Sequence, residues 1–335
     1  MTEDIFLLFF NLFLILLSAE VFTNGIEVFG KKLSLSQAVV GSILAAVGTA
    51  LPETILPMVA IFLHKGEAGD KIGIGAILGA PFMLATLAFL IIGLTVFISY
   101  ILKRRSFIFE AEIPTVKRDL IFFLFMYSAG IFLPILKMPH IIVAFFLIIG
   151  YIVYLYFTFK SESDAIIHEE KLYLERLFGK FLPIARFKGF FSFIQILLAL
   201  FIMIEGAHGF VSALQHISEM FGFDPLLFSL LIAPVATELP EKFNSVTWTF
   251  KGRDTLAMGN VTGAMVFQST FPVSVGIIFT EWNITGYALL SACLALLAGL
   301  IVLGEIHFRK RISPVTLILS GSFYLIYAVL IIKPF

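Results

Sequence analysis

Long apolar runs separated by short polar punctuation organise this chain. A helix that crosses the hydrocarbon core needs roughly 20 apolar residues. On that measure the pattern predicts ten spans, at about 5–29, 36–63, 72–101, 119–136, 140–159, 190–215, 225–250, 255–280, 284–304 and 313–332. The longest polar stretch, 160–189, contains Glu162, Asp164, Glu169, Glu170, Lys171 and Arg176. It divides the chain into a five-helix unit at 1–159, a cytoplasmic linker at 160–189, and a second five-helix unit at 190–335. The fold class predicted is all-α and integral to a membrane. Met-Thr-Glu-Asp precedes the first apolar run without a basic segment or a small-residue cleavage site, so that run reads as a retained helix rather than a signal peptide.

Composition agrees with lipid as the main solvent. Of 335 residues, 59% are hydrophobic and only 14% charged, too little polar surface to cover a water-soluble globule. The formal net charge is zero and the basic residues stand in short scattered clusters, which argues against nucleic acid as a partner. Inorganic cations and membrane lipid are the partners expected. A single cysteine, Cys293, in an apolar run implies neither a disulfide framework nor a metal cluster, and no resident cofactor is expected.

Charge also orients the spans, because basic loops stay on the cytoplasmic side. With the N-terminus outside, eighteen of the 23 lysines and arginines fall in inner loops, while Lys65, Lys71, Lys137 and Lys333 lie outside and Lys242 sits within a span. Both termini are therefore expected on the outer side of a cell membrane. An odd number of helices in each half then inverts the second half relative to the first.

The halves are related in sequence as well. Gly48-Thr-Ala-Leu-Pro-Glu53 recurs 188 residues later as Ala236-Thr-Glu-Leu-Pro-Glu241. The same offset sets Ala19-Glu20-Val-Phe-Thr-Asn24-Gly25 against Ala207-His208-Gly-Phe-Val-Ser212-Ala213, and an offset of 184 pairs Gly75-Ala-Ile-Leu-Gly79-Ala80 with Gly259-Asn260-Val-Thr-Gly263-Ala264. Inverted repeats that each carry an interrupted span point to a secondary transporter with its site at mid-membrane between them. The interruptions have a cause: Pro52 and Pro240 lack an amide hydrogen, so the carbonyls of Gly48 and Ala236 lose their helical partners, and Pro57 and Pro234 do the same for Glu53 and Leu230. Free carbonyls at membrane depth must face protein, water or an ion, and hard cations take oxygen ligands of this kind. Glu53 and Glu241, equivalent carboxylates beside these carbonyls, are read as the centre of a cation site. The competing reading is a structural hydrogen bond between helices.

The paired Leu-Pro-Glu motifs, each behind a threonine and followed by a Gly-x-x-x-Gly helix, resemble the two alpha repeats of the sodium/calcium exchanger family within the cation/calcium exchanger superfamily. Residues about 36–101 and 225–280 hold the two alpha regions. The resemblance implies a multi-pass antiporter that exchanges calcium, or a similar hard cation, against sodium or protons. It implies ion ligation by Glu53 and Glu241, with oxygens added by Thr49 and Thr237. The sequence departs from the family pattern between threonine and leucine, where Ala50 and Glu238 replace a small hydroxyl residue. It departs again in the next helix, where only Asn260 of the family's four amides is kept.

Two readings stand open for several residues. Glu238 and Lys242, spaced i, i+4, share a helical face. They are either an ion pair that makes the span tolerable, or a built-in cation in a sodium position with Glu238 as a replacement ligand. Together with Glu53 and Glu241 they carry two net negative charges, which one calcium ion, two sodium ions or two protons would neutralise. Asn260 offers either a ligand oxygen or a tie between helices, and the glycine pairs are read as close-packing positions. Glu20, Glu205 and His208 are assigned to structural hydrogen bonding. His168-Glu169-Glu170-Lys171 lacks the second histidine of a zinc-protease motif.

Cation/proton exchange without sodium coupling is the main alternative, since a carboxylate with a raised pKa can carry the counter-proton. A membrane enzyme is the alternative from another class. It is disfavoured because no paired aspartates at metal spacing, nucleophile with a base, or nucleotide loop is found. A channel fits broken, inverted repeats less well than alternating access does.

Overall fold

The computed structural model describes residues 2–32, 50–64, 66–161, 171–179 and 187–332, and among them the regular structure is helical. The first half holds α1 (Thr2–Lys32), α2 (Leu51–Leu63), α3 (Glu67–Met83), which runs through a π turn (Leu84–Ala88) into α4 (Phe89–Ile101), then α5 (Ile113–Ile135) and α6 (His140–Ser161). A short α7 (Tyr173–Phe178) lies in the linker. The second half holds α8 (Lys188–Phe221), α9 (Pro225–Phe250), α10 (Asp254–Gln268), α11 (Phe271–Phe279), α12 (Gly286–Arg309), α13 (Pro314–Gly321) and α14 (Phe323–Ile332).

Eight helical stretches among the described residues are long and apolar enough to cross a membrane, and Leu51–Leu63 and Pro225–Glu238 are shorter apolar helices. Large apolar side chains such as Phe6, Phe13, Phe125, Phe145, Ile152 and Phe201 are exposed around the bundle. Apolar surface of that extent belongs in lipid, so the chain is a multi-pass membrane protein. Residues 36–49 of the second predicted span lie outside the described residues.

Three predicted spans are not single α-helices. The 72–101 span carries the π turn at Leu84–Ala88, just after Pro81, whose missing amide disturbs the helical ladder. The 255–280 span breaks at Ser269 and Thr270, ahead of Pro272 in the first turn of α11. The last span divides at Ser322, where Gly321 is pressed against the Leu90 backbone. The first two breaks coincide when the 184-residue offset is applied. Thr86 donates its hydroxyl to the Phe82 carbonyl, and Thr270, 184 residues later, donates to the equivalent carbonyl of Val266 at 2.8 Å. Conversely α9 runs as one helix through Pro234 and Pro240, where the sequence suggests an interruption. Each proline removes one hydrogen bond and frees one carbonyl without ending the helix.

α3 is the central element, buried from Ile72 to Met83. One apolar cluster, including Ile15, Phe22, Leu56, Val59, Met203 and Phe210, joins α1, α2 and α8. The second, including Phe82, Phe89, Phe123, Tyr127, Met258 and Val273, joins α3 to α6 with α9 to α14. α1 lies along α8, where Gly206 admits the Asn11 carbonyl and Ile15, and Gly25 admits Ile196. The linker docks on this pair: Leu174 N donates to Gln195 Oε1 at 3.0 Å and Tyr173 N to Asn24 Oδ1 at 3.1 Å.

The segment after α4 fastens the start of α10. Arg105 Nη1 and Nη2 donate to Asp254 Oδ1 and Oδ2 at 2.8 and 2.6 Å, Arg105 Nη1 also reaches the Thr249 carbonyl at 2.8 Å, and Glu110 N donates to Asp254 Oδ2 at 2.8 Å. The bond to Asp254 raises the Arg105 guanidinium above its ordinary pKa. The Asp254 side chain is inaccessible and that of Arg105 is 14% exposed. Removing one partner of a buried pair leaves an uncompensated charge, at about 3–5 kcal/mol. Arg105→Ala should therefore lower the thermal unfolding midpoint in detergent clearly, more than Lys103→Ala on the same loop. Equal midpoints for the two variants would remove this pair from the account of stability.

Candidate functional site

The contact that builds the site is that of α3 with α9. An added Cβ at Gly75 would stand 2.2 Å from the Leu226 carbonyl oxygen, and one at Gly79 would stand 2.2 Å from that of Leu230 and 2.6 Å from Pro234 Cγ. Only glycine lets the backbones approach this closely. The Leu230 carbonyl, deprived of its helical donor by Pro234, thus rests on the Gly79 backbone. Ser229 Oγ adds a bond to the Ile72 carbonyl at 2.8 Å. The close-packing role expected of the glycine pairs holds for this one. By the repeat offset, the counterparts of Leu226 and Leu230 for Gly259 and Gly263 are residues 38 and 42, outside the described residues.

Between α2, α3 and α9 lies a cavity of about 10 Å³, lined by Glu53, Leu56, Pro57, Ala76, Ala80, Ala233, Pro234 and Thr237. That is about the space of one water-sized body. Glu53 comes from the first turn of α2, behind Pro52, and is 9% exposed; the partial positive charge of a helix N-terminus favours a carboxylate there. Thr237 comes from the other half of the chain and is 3% exposed, its hydroxyl donating to the Ala233 carbonyl at 3.0 Å, so its lone pairs can serve a cation. The cavity brings together two of the sequence-derived candidates with Pro57 and Pro234. Glu241 lies in α9 one helical turn after Thr237, its side chain outside the described residues. Thr49 also lies outside them.

The remaining candidates among the described residues do not line this cavity. Glu238 and Lys242 are both buried, at 0% and 2% exposure, with Nζ 4.0 Å from Oε2. In the first repeat the equivalent positions hold Ala50 and Thr54, and there Thr54 Oγ1 donates to the Ala50 carbonyl at 2.7 Å. One repeat joins the two positions by a hydroxyl on backbone, the other by an ammonium facing a carboxylate. Asn260 Nδ2 donates to Ser245 Oγ at 3.1 Å, tying α10 to α9. Glu20 accepts from the Tyr173 hydroxyl at 3.0 Å. The His208 carbonyl is 3.1 Å from His64 Nε2, with the two rings 4.3 Å apart, and Glu205 is exposed.

Buried carboxylates that sequence reading passed over are Asp119, Asp254 and Glu305. Asp119, 2% exposed, accepts from Thr262 Oγ1 at 2.7 Å and from Tyr154 and Arg118, joining α5, α6 and α10. Beyond the adjacent Arg118, its partners are 35 and 143 residues away, and in the sequence it only marks the end of an apolar run. Glu305 Oε2 accepts from Ser313 N at 2.9 Å, closing the turn into α13.

Known proteins share this architecture. The chain aligns with the solved H+/Ca2+ exchanger CAX at a TM-score of 0.73 and 17% identity, covering 99% of this chain and 82% of that one. It aligns with the sodium-calcium exchanger NCX_Mj at a TM-score of 0.58 and 20% identity, covering 98% of both. A putative antiporter CaxA of Alkalimonas amylolytica is 32% identical over 130 residues, which are 36% of this chain and 40% of that relative's length. The family model described as sodium/calcium exchanger protein matches residues 4–160 and 191–333, on either side of the linker, and the chain belongs to that family of membrane exchangers.

Proposed function

We propose that the chain is a secondary antiporter that exchanges calcium, or a similar hard cation, against protons or sodium by alternating access. In this reading ten spans form two inverted five-helix repeats, with both termini on the outer side of a cell membrane. The cation binds between the repeats at Glu53 and Glu241, with Thr237, Thr49, Glu238 and Asn260 around them. The observation that carries the reading is the ion-sized cavity in which Glu53 of one half meets Thr237 of the other beside two prolines. The matching breaks at Thr86 and Thr270 support the repeat.

The test is flux in proteoliposomes. Vesicles loaded with protons or with sodium and diluted into calcium should take up calcium as the loaded ion leaves. No calcium movement under either gradient would overturn the proposal. The buried Lys242 beside Glu238 favours the branch in which protons alone are the counter-ion, because a fixed ammonium already supplies one of the positive charges that sodium would bring.

The topology has its own test. In a Cys293→Ser background, a cysteine placed at Glu281 should react with an impermeant reagent from outside, and cysteines at Lys103, Lys171 and Lys251 should not. Reaction of the Lys251 position from outside would break the inversion, since the basic-loop asymmetry puts it inside.

A further inference from the structure

A second recess shares no residue with the cation cavity. Two loops build it. Phe109, between α4 and α5, forms an antiparallel bridge with Ile312, in the turn between α12 and α13, and both side chains are buried. Beside the bridge lies a volume of about 510 Å³, within the roughly 300–1,000 Å³ of small-ligand clefts. Its lining combines Arg309, Arg311 and Thr316 with the apolar Ile108, Val315 and Leu319, the last three 54%, 49% and 61% exposed, and includes no carboxylate. The arginines stand at the end of α12 and in the turn after it, whereas Leu319 lies more than one helical turn into α13.

The charge balance is positive. Arg311 is exposed and has no ion pair among the described residues. Arg309, its side chain 65% exposed, holds Nη1 3.9 Å from Glu305 Oε1, while Glu305 Oε2 accepts from Ser313 N. Over the two loops, Lys103, Arg104, Arg105, Arg309, Lys310 and Arg311 stand against Glu110, Glu112 and the two carboxylates paired with them, Asp254 and Glu305. Six cations against four carboxylates leave two net positive charges.

We propose that this recess binds an anionic phospholipid, with its phosphate against Arg309 and Arg311 and an acyl chain along Ile108, Val315 and Leu319. Charge complementarity selects the headgroup: four or more basic residues clustered at the ends of spanning helices recognise anionic lipid in general, and the guanidinium fork matches phosphate oxygens. The apolar lining selects a lipid over free phosphate, which would leave that surface unused. Both loops are among those that the basic-loop asymmetry assigns to the inner face, where anionic lipid gives the leaflet its negative potential. Ile108 belongs to the first half of the chain and Arg309 and Arg311 to the second, so a lipid held here would tie the two halves together. The inference rests on the chain's place in a membrane and not on which ions are exchanged.

The experiment uses the full chain in bilayers with a tryptophan reporter at the recess. Leu319→Trp, with Val315→Trp as a second position, is quenched by brominated phosphatidylglycerol or brominated phosphatidylcholine, read as the difference from the parent chain with its Trp248 and Trp282. Half-quenching by the anionic lipid is expected at a mole fraction about fivefold lower than by the zwitterionic one, the factor one basic residue supplies near a membrane. Arg311→Gln should remove most of that preference, and Phe201→Trp, exposed on α8, should show none. Coincident curves for the two lipids at both reporters, an equal preference at Phe201→Trp, or an unchanged preference in Arg311→Gln would each overturn the proposal. So would loss of the preference to inorganic phosphate but not to sodium chloride at equal ionic strength, since the ligand would then be the free anion.

Discussion

Glu53→Gln and Glu241→Gln should each abolish calcium exchange while leaving the protein folded in the membrane. A calcium ion is held by oxygen ligands, and carboxylates supply both coordination and neutralising charge. Glutamine keeps the shape and one oxygen but removes the charge, so half the negative charge of the glutamate pair is lost at one stroke. The loss should appear as flux reduced to the level of empty vesicles, at least about a hundredfold, the scale of roughly 3 kcal/mol for a hydrogen-bonded charge removed from a buried site. Folding should be spared, because a buried neutral amide costs less to keep at membrane depth than a carboxylate does. Size-exclusion profiles and thermal midpoints at or above those of the parent check this half of the expectation. Full transport by either variant would remove the proposed site.

The fold was largely legible because lipid imposes one strong rule: a span must be a long apolar helix. The long helices found overlap the predicted segments for that reason, although α5 starts at Ile113, α8 runs on to Phe221 and α12 to Arg309, and the short α7 lies in the linker. What the pattern could not place is where a span bends. Pro234 and Pro240 stand within a continuous α9, while the break at Ser269 and Thr270 needs no proline inside the helix it ends. The difference depends on what neighbouring helices do with the freed carbonyls, as Gly79 does for Leu230. The candidate site could be proposed from the sequence for a related reason. Two copies of one motif at a fixed offset mark Glu53 and Glu241 without any structure. Asp119 and Asp254 are single and unrepeated, and partners 143 or more residues away in the sequence, Thr262 and Arg105, hold them. Nothing in the order of residues distinguishes a carboxylate at the end of a span that solvates from one that is turned inward onto Thr262 or Arg105.

Lys242→Thr should create a vacant cation position, with sodium dependence appearing or steepening. The premise is the asymmetry between the repeats. Thr54 and Ala50 are linked by a hydroxyl on a carbonyl, and the same two positions in the second repeat hold an ammonium 4.0 Å from a carboxylate, both buried. If the ammonium acts as a built-in cation, its removal leaves negative charge that a transported ion can answer. If the pair is only structural, the single change leaves Glu238 buried without its counter-charge, and the main effect is destabilisation of about 3–5 kcal/mol. The two accounts can be separated by the double variant Glu238→Ser with Lys242→Thr. It removes both charges, so no orphan remains, and it places in the second repeat the small hydroxyl residues that the first repeat's Thr54 exemplifies. A stable protein with altered ion requirement is expected, measured as calcium uptake against sodium and proton gradients in parallel with the thermal midpoint. An unchanged ion requirement in a stable double variant would make the pair structural, and the charged ligands of the site would then be Glu53 and Glu241 alone.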